Sequence, residues 1–114
     1  MLTKFICCII IQNSRIFIFQ QTKNITVEEF EFAEIDFEAG TIGTRANRYS
    51  VDVSKDGYTP ISCSISYVLE STYMLPVAFV IDTTLYLNVY RAVASMPTTN
   101  KVRVKVVYIK NSNS

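Results

Sequence analysis

The stretch Val51-Asp-Val-Ser-Lys-Asp-Gly-Tyr-Thr-Pro-Ile61 decides the fold class. Val51 and Val53 alternate with Asp52 and Ser54, the period-two pattern of a strand with one buried face. Asp56-Gly57 follows, a pair that tolerates the positive φ a tight hairpin turn demands. A second extended run begins at Tyr58, with Pro60 at its start, where a missing N–H does least harm. The stretch therefore predicts strand, hairpin turn and strand.

Working outward, the same alternation runs over most of the chain. Tyr49, Val51 and Val53 are predicted to point inward, and Ser50, Asp52 and Ser54 outward. Beyond the turn, Ile61, Cys63, Ile65, Tyr67 and Leu69 are predicted to form one face, with Ser62, Ser64 and Ser66 opposite. Glu70–Met74 reads as a polar, exposed connection, and Pro76 opens a strand over Val77–Ile81. Asp82-Thr83-Thr84 turns the chain into Leu85, Leu87 and Val89, which alternate with Tyr86, Asn88 and Tyr90. If the leucine face is the core, those tyrosines form a subunit interface or lie under a loop. A loop over Ala94–Asn100 precedes a last strand with Val102, Val104, Val106 and Tyr108 on one face.

Toward the N-terminus, Val27, Phe30, Phe32, Ile35 and Phe37 alternate with acids, and the phase slips near Ala33-Glu34, which predicts a bulge or tight bend. Ala39-Gly40-Thr41 is a predicted turn, with Gly40 and Gly43 supplying backbone freedom. No segment keeps helical periodicity over three turns. The expected architecture is all-β: an antiparallel β-sandwich, jelly-roll-like, of about seven or eight short strands. It occupies residues 25–110, between an atypical apolar segment over 1–24 and a polar tail over 111–114.

Composition narrows the function classes. A chain of 114 residues suits one domain. Its net charge is +1 and its basic residues are scattered, so no nucleic-acid partner is expected. There is no His, which removes the commonest general base and the commonest zinc ligand. Of the 3 cysteines, Cys7 and Cys8 are adjacent and Cys63 lies in a predicted strand, with no Cys-x-x-Cys spacing. Cys63 is in phase with Ile61 and Ile65, so it reads as a small buried apolar residue.

The first residues differ from the rest. Phe5–Ile11 is an apolar run after Lys4, and Ile16–Phe19 is another after Arg15. The segment admits three readings: one or two strands (Phe5–Ile11 and Ile16–Gln20), an export signal, or an upstream start codon assigned in error. The run is too short to span a bilayer, which needs about 20 residues. Under the export reading the protein is a small secreted or envelope-tethered β-sandwich protein, with residues 1–20 as the signal.

Reactive motifs are few. Asp52-x-Ser54-x-Asp56-Gly57 resembles the opening of a calcium loop, but the position that must close the cage with a carboxylate is Cys63. Asn24-Ile25-Thr26 is a glycosylation triplet. The acids between Glu28 and Glu38 alternate with apolar residues, which a solvated sheet face explains. The serines lack a histidine base and any Gly-x-Ser-x-Gly elbow. No catalytic residue, metal or cofactor is therefore expected, and the protein is read as non-enzymatic. Tyrosine has the best claim to function, because a ring with a hydroxyl suits sugar faces and protein partners. The candidate ligand contacts are Glu70, Ser71, Tyr73, Thr98 and Asn100, in the two loops over Glu70–Met74 and Ala94–Asn100.

Ser54-Lys-Asp-Gly-Tyr-Thr-Pro-Ile61, with Gly40-Thr-Ile-Gly-Thr-Arg45 before it and Val102-Arg-Val-Lys-Val-Val-Tyr-Ile109 after it, resembles a small β domain of bacteriophages and prophages. Such domains stand near the C-termini of tail fibre, tail spike and minor structural proteins. The resemblance covers roughly residues 25–110. It implies a virion structural protein, a distal β-sandwich, a homo-trimer, and a part in host attachment through a cell-wall glycan or surface protein. It carries no catalytic residue onto this chain. The chain departs from the pattern at its N-terminus, where an apolar segment stands in place of a long fibre.

Overall fold

The computed structural model describes residues 24–112. Six strands run through them: β1 (Ile25–Ile35), β2 (Arg45–Asp52), β3 (Tyr58–Val68), β4 (Met74–Ile81), β5 (Thr84–Arg91) and β6 (Asn100–Lys110). They form two antiparallel three-stranded sheets. Sheet I has the order β1-β6-β3 and sheet II the order β2-β5-β4. The protein is all-β. The further strands expected over Phe5–Ile11 and Ile16–Gln20 lie outside the described residues.

One core joins the sheets. Phe32, Ile35, Val102, Val104, Val106 and Tyr108 of sheet I pack with Met74, Leu85, Leu87 and Val89 of sheet II. The alternation predicted for the last strand and for Leu85, Leu87 and Val89 is the alternation observed. Both strands are central, so a bond ladder on each side holds their register and keeps every second side chain inward. The Tyr108 hydroxyl, its ionisation disfavoured chiefly by burial, donates to the Val53 carbonyl at 2.7 Å and ties β6 to the end of β2.

The Asp56-Gly57 hairpin is not formed. The turn itself is present, with Gly57 at φ 79° and the Tyr58 amide donating to the Lys55 carbonyl at 3.0 Å. Yet β2 pairs with β5 and β3 pairs with β6, so the turn carries the chain from one sheet to the other. Turn chemistry specifies a local reversal; which strand each arm then pairs with depends on which face it buries. The tight two-residue hairpin lies instead at Asp82-Thr83, between Ile81 and Thr84, with Asp82 at φ 56°.

Bulges account for the other departures. The predicted slip at Ala33-Glu34 is a bulge: the register jumps between Phe32 and Ile35, and Glu34 sits at φ 56°. Before the bulge the register is unbroken, so Phe30 and Phe32 face the core while Val27, an odd number of residues from both, is exposed. The position in phase with Phe30 and Phe32 before them is held by Glu28, a half-exposed acid ion-paired with Lys55 at 2.6 Å. In β3, register shifts between Pro60 and Ser62 and between Ile65 and Tyr67 break the single predicted face. Pro60, Cys63, Ile65 and Val68 point inward, whereas Ile61, Tyr67 and Leu69 are exposed. Cys63 is half-buried, and that burial pushes its thiol pKa up.

Both prolines lie two residues inside their strands rather than at the first position. They are tolerated because β3 and β4 are edge strands. Met74, expected in an exposed connection, is fully buried as the first residue of β4. The outer face of sheet I is polar at one end, where Arg103 pairs with Glu31 at 3.0 Å and Ser66 donates to Glu29 at 2.6 Å. Exposed pairs of this kind stabilise by at most about 1 kcal/mol.

Candidate functional site

Strand direction alternates along the whole described chain, so its connections sort by end. Three of them, over residues 36–44, 69–73 and 92–99, gather at one end. The other two, over 53–57 and 82–83, lie at the opposite end. Two side chains lock the loop end together.

The first is Asn100. It is 2% exposed, at the first position of β6. Its amide donates to the Glu70 carbonyl at 2.6 Å, and its Oδ1 accepts from the Glu70 and Lys101 amides at 2.9 and 2.8 Å. A backbone segment leaving a sheet edge has donors and acceptors without ladder partners; one carboxamide satisfies three of them here. Asn100 thus lies beneath the loops as their clamp. Of the other expected contacts, Ser71 and Thr98 are exposed, and Glu70 and Tyr73 are half-buried. The Tyr73 carbonyl accepts from the Ala92 amide at 3.1 Å, which joins the 69–73 and 92–99 loops directly. The structure therefore brings together the two loops that sequence reasoning selected.

The second lock, Arg91, ends β5 and was not legible from sequence. Its Nε and Nη2 donate to the Glu38 carbonyl at 3.2 and 3.1 Å, and its Nη1 to Thr44 Oγ1 at 2.8 Å. Its guanidinium also lies 5.4 Å from the Phe37 ring centre. Arg91 therefore clasps the 36–44 loop, and Gly40 is part of the fit. A β-carbon at Gly40 would overlap Arg91 Cζ and sit 2.6 Å from its Nε. Gly40→Ala is expected to displace the flexible guanidinium from Glu38 and Thr44 and lower the unfolding free energy by about 0.5–1 kcal/mol, the worth of the exposed hydrogen bonds given up, read by urea denaturation. A change below about 0.3 kcal/mol would show that Arg91 yields at no cost.

Beside the clasp is an open recess of about 330 Å³, lined by Asp36, Phe37, Glu38, Ala46, Asn47 and Arg91. Asn47 Nδ2 and the Tyr49 hydroxyl both donate to the Asp36 carbonyl, so its floor is fixed. The exposed Asp36 and Glu38 carboxylates make the rim an acceptor of hydrogen bonds and a poor host for anions. The only sequence signal for this recess was the turn glycine at 40. Among the described residues, no group of His, Cys, Asp and Glu is placed to hold a metal ion. No helix among them is long and apolar enough to cross a membrane.

Comparison with known proteins places no relative beside this geometry. No family model, curated protein or solved structure matches the chain significantly.

Proposed function

We propose that the protein is a non-enzymatic adhesion or structural module of a phage tail or fibre, built as an antiparallel β-sandwich and assembled as a homo-oligomer. The observation that carries this reading is the sorting of the connections. A two-sheet body holds three loops at one end, and Asn100 and Arg91 fix them there by hydrogen bonds. Loops held on a stiff scaffold are the usual place for recognition. Tyr73, Ser71 and Thr98 supply the ring and hydroxyl groups suited to a glycan or a surface protein, and the acidic rim of the recess accepts from sugar hydroxyls. The resemblance of the Gly57-Tyr58-Thr59-Pro60-Ile61 segment to phage appendage domains supplies the biological setting. Binding per copy would be weak and multiplied by multivalency.

The test is pull-down of the folded protein with purified cell walls from a panel of bacteria. Retention on at least one wall preparation is expected, with Tyr73→Ala reducing it about tenfold, the worth of about 1.4 kcal/mol. No retention on any wall by a folded oligomer would count against adhesion and leave only the structural role.

A further inference from the structure

Strand β4 is apolar on both faces, Leu75-Pro-Val-Ala-Phe-Val-Ile81, although it is an edge strand. Ala78 and Val80 pack against the core. Leu75, Val77 and Ile81 point the other way and are 56%, 47% and 55% exposed. Single exposed aliphatics are ordinary, but a continuous stripe marks an interaction surface.

The stripe is backed by a rigid centre. Phe79 stacks on Tyr86 of β5 with ring centres 5.3 Å apart. The Arg48 guanidinium lies over both rings, at 5.8 and 5.5 Å, and its Nε donates to Asn88 Oδ1 at 2.8 Å. Asn88 is only 7% exposed beneath it. Arg48 has no carboxylate partner among the described residues. Aromatic rings with a flat arginine, already ordered before contact, are what interface hot spots are made of.

The ladder registers divide this face into four rows. From the loop end they are Leu75–Tyr90–Arg45, Val77–Asn88–Arg48, Phe79–Tyr86–Ser50 and Ile81–Thr84–Asp52. Arg45 and Asp52 thus stand at opposite corners of the same side. The pattern is complementary to itself. A second face laid on it with strands antiparallel sets the first row on the fourth and the second on the third. Leu75 then meets Ile81, Val77 meets Phe79, and each Arg45 meets the Asp52 of the other copy.

We propose that the outer face of sheet II is a two-fold, self-complementary interface that takes a second copy of this chain face to face. This rests on the oligomer part of the reading above and names its surface, but with two copies in place of the homo-trimer that the resemblance implies. Strand addition at the free edge of β4 is the poorer alternative. Ile81 and Thr84 flank a two-residue hairpin loop and so form a hydrogen-bonded pair; alternation then turns Val80, Ala78 and Pro76 toward the free edge. Pro76 has no N–H to offer there. The face is small: strands of 8 residues, at about 3.4 Å per residue and about 4.8 Å apart, span about 24 by 14 Å. That is below the roughly 800 Å² per partner of a standard interface, so the dimer dissociates on dilution.

Sedimentation velocity and light scattering of the full chain across a concentration series test this. The expected mass rises from one toward twice the 13.0 kDa of the monomer. Val77→Glu is expected to leave a monomer. Arg45→Asp alone and Asp52→Arg alone are each expected to weaken association at least tenfold, and the double exchange to restore it to within about threefold. Both charged positions are on the surface, and circular dichroism checks that each variant keeps its strands. A monomer at every concentration, a three-copy mass, or a double exchange that fails to restore association would each overturn the proposal. A monomer that still binds cell walls would sink this interface and spare adhesion; a dimer that binds none would do the reverse.

Discussion

Leu87→Ala is expected to lower the unfolding free energy by about 3–4 kcal/mol. Leu87 is fully buried on β5, the central strand of sheet II. Its ladder neighbours are Tyr49 on one side and Ala78 on the other. Ala78 has no side chain to swing into the space, and the bond ladders on both sides of β5 keep the backbone from collapsing into it. The site therefore relaxes little, which puts the substitution in the upper half of the usual range for such truncations. A domain of this size has a total stability of about 5–15 kcal/mol, so the loss is a large share of it. Equilibrium urea denaturation followed by far-UV circular dichroism measures it. A loss below about 1 kcal/mol would mean that the two sheets do not share one packed core.

Asn100→Ala is expected to cost about 3 kcal/mol. The side chain makes three hydrogen bonds, at 2.6, 2.8 and 2.9 Å, all to backbone groups, while itself almost completely buried. Each such bond is worth about 1 kcal/mol net, and a buried group left without a partner costs about 1–3 kcal/mol. Water entering at the loop end would recover part of that, which holds the total near 3 rather than higher. Hydrogen exchange gives the local signature. The Glu70 and Lys101 amides should exchange much faster in the variant, ahead of amides at the centre of β6. Equal acceleration at every amide would show a global loss and would remove Asn100 from its place as a loop clamp.

The period-two signal was strong enough to place all six described strands to within a few residues, though not to orient every side chain in them. Tyr49, Val51, Val53, Leu85, Leu87, Val89 and the Val102–Tyr108 series all face as their alternation predicts. It failed along β3, because bulges near Ile61 and Ser66 add residues without any composition signal. Glycine or Asn-Gly marks some bulges, and neither is present there. At the loop end, the loops expected over Glu70–Met74 and Ala94–Asn100 were legible from polar residues and Pro97, each one residue too long at its C-terminal end, but their adjacency was not. Arg91 gave no signal either. A clasp onto carbonyls of a loop roughly 50 residues away has no periodicity to betray it. The aromatic outer face was legible in part, since Tyr86 and Tyr90 had to oppose Leu87 and Val89. The apolar run of β4 read equally well as a strand buried on both faces.

By itself, the order of side chains determined that this protein is built of strands, where the chain reverses, and which residues of the two central strands are core. Those properties are set within one or two residues by pleat geometry and turn conformation. Tertiary structure alone decided that Asp56-Gly57 bridges two sheets instead of closing a hairpin, that the loops over 36–44, 69–73 and 92–99 share one end, and that β4 lies at an edge with its second apolar face uncovered by any described residue. Partner choice depends on the free energy of burying whole faces together, and that quantity belongs to the assembled sheets rather than to any local stretch of chain.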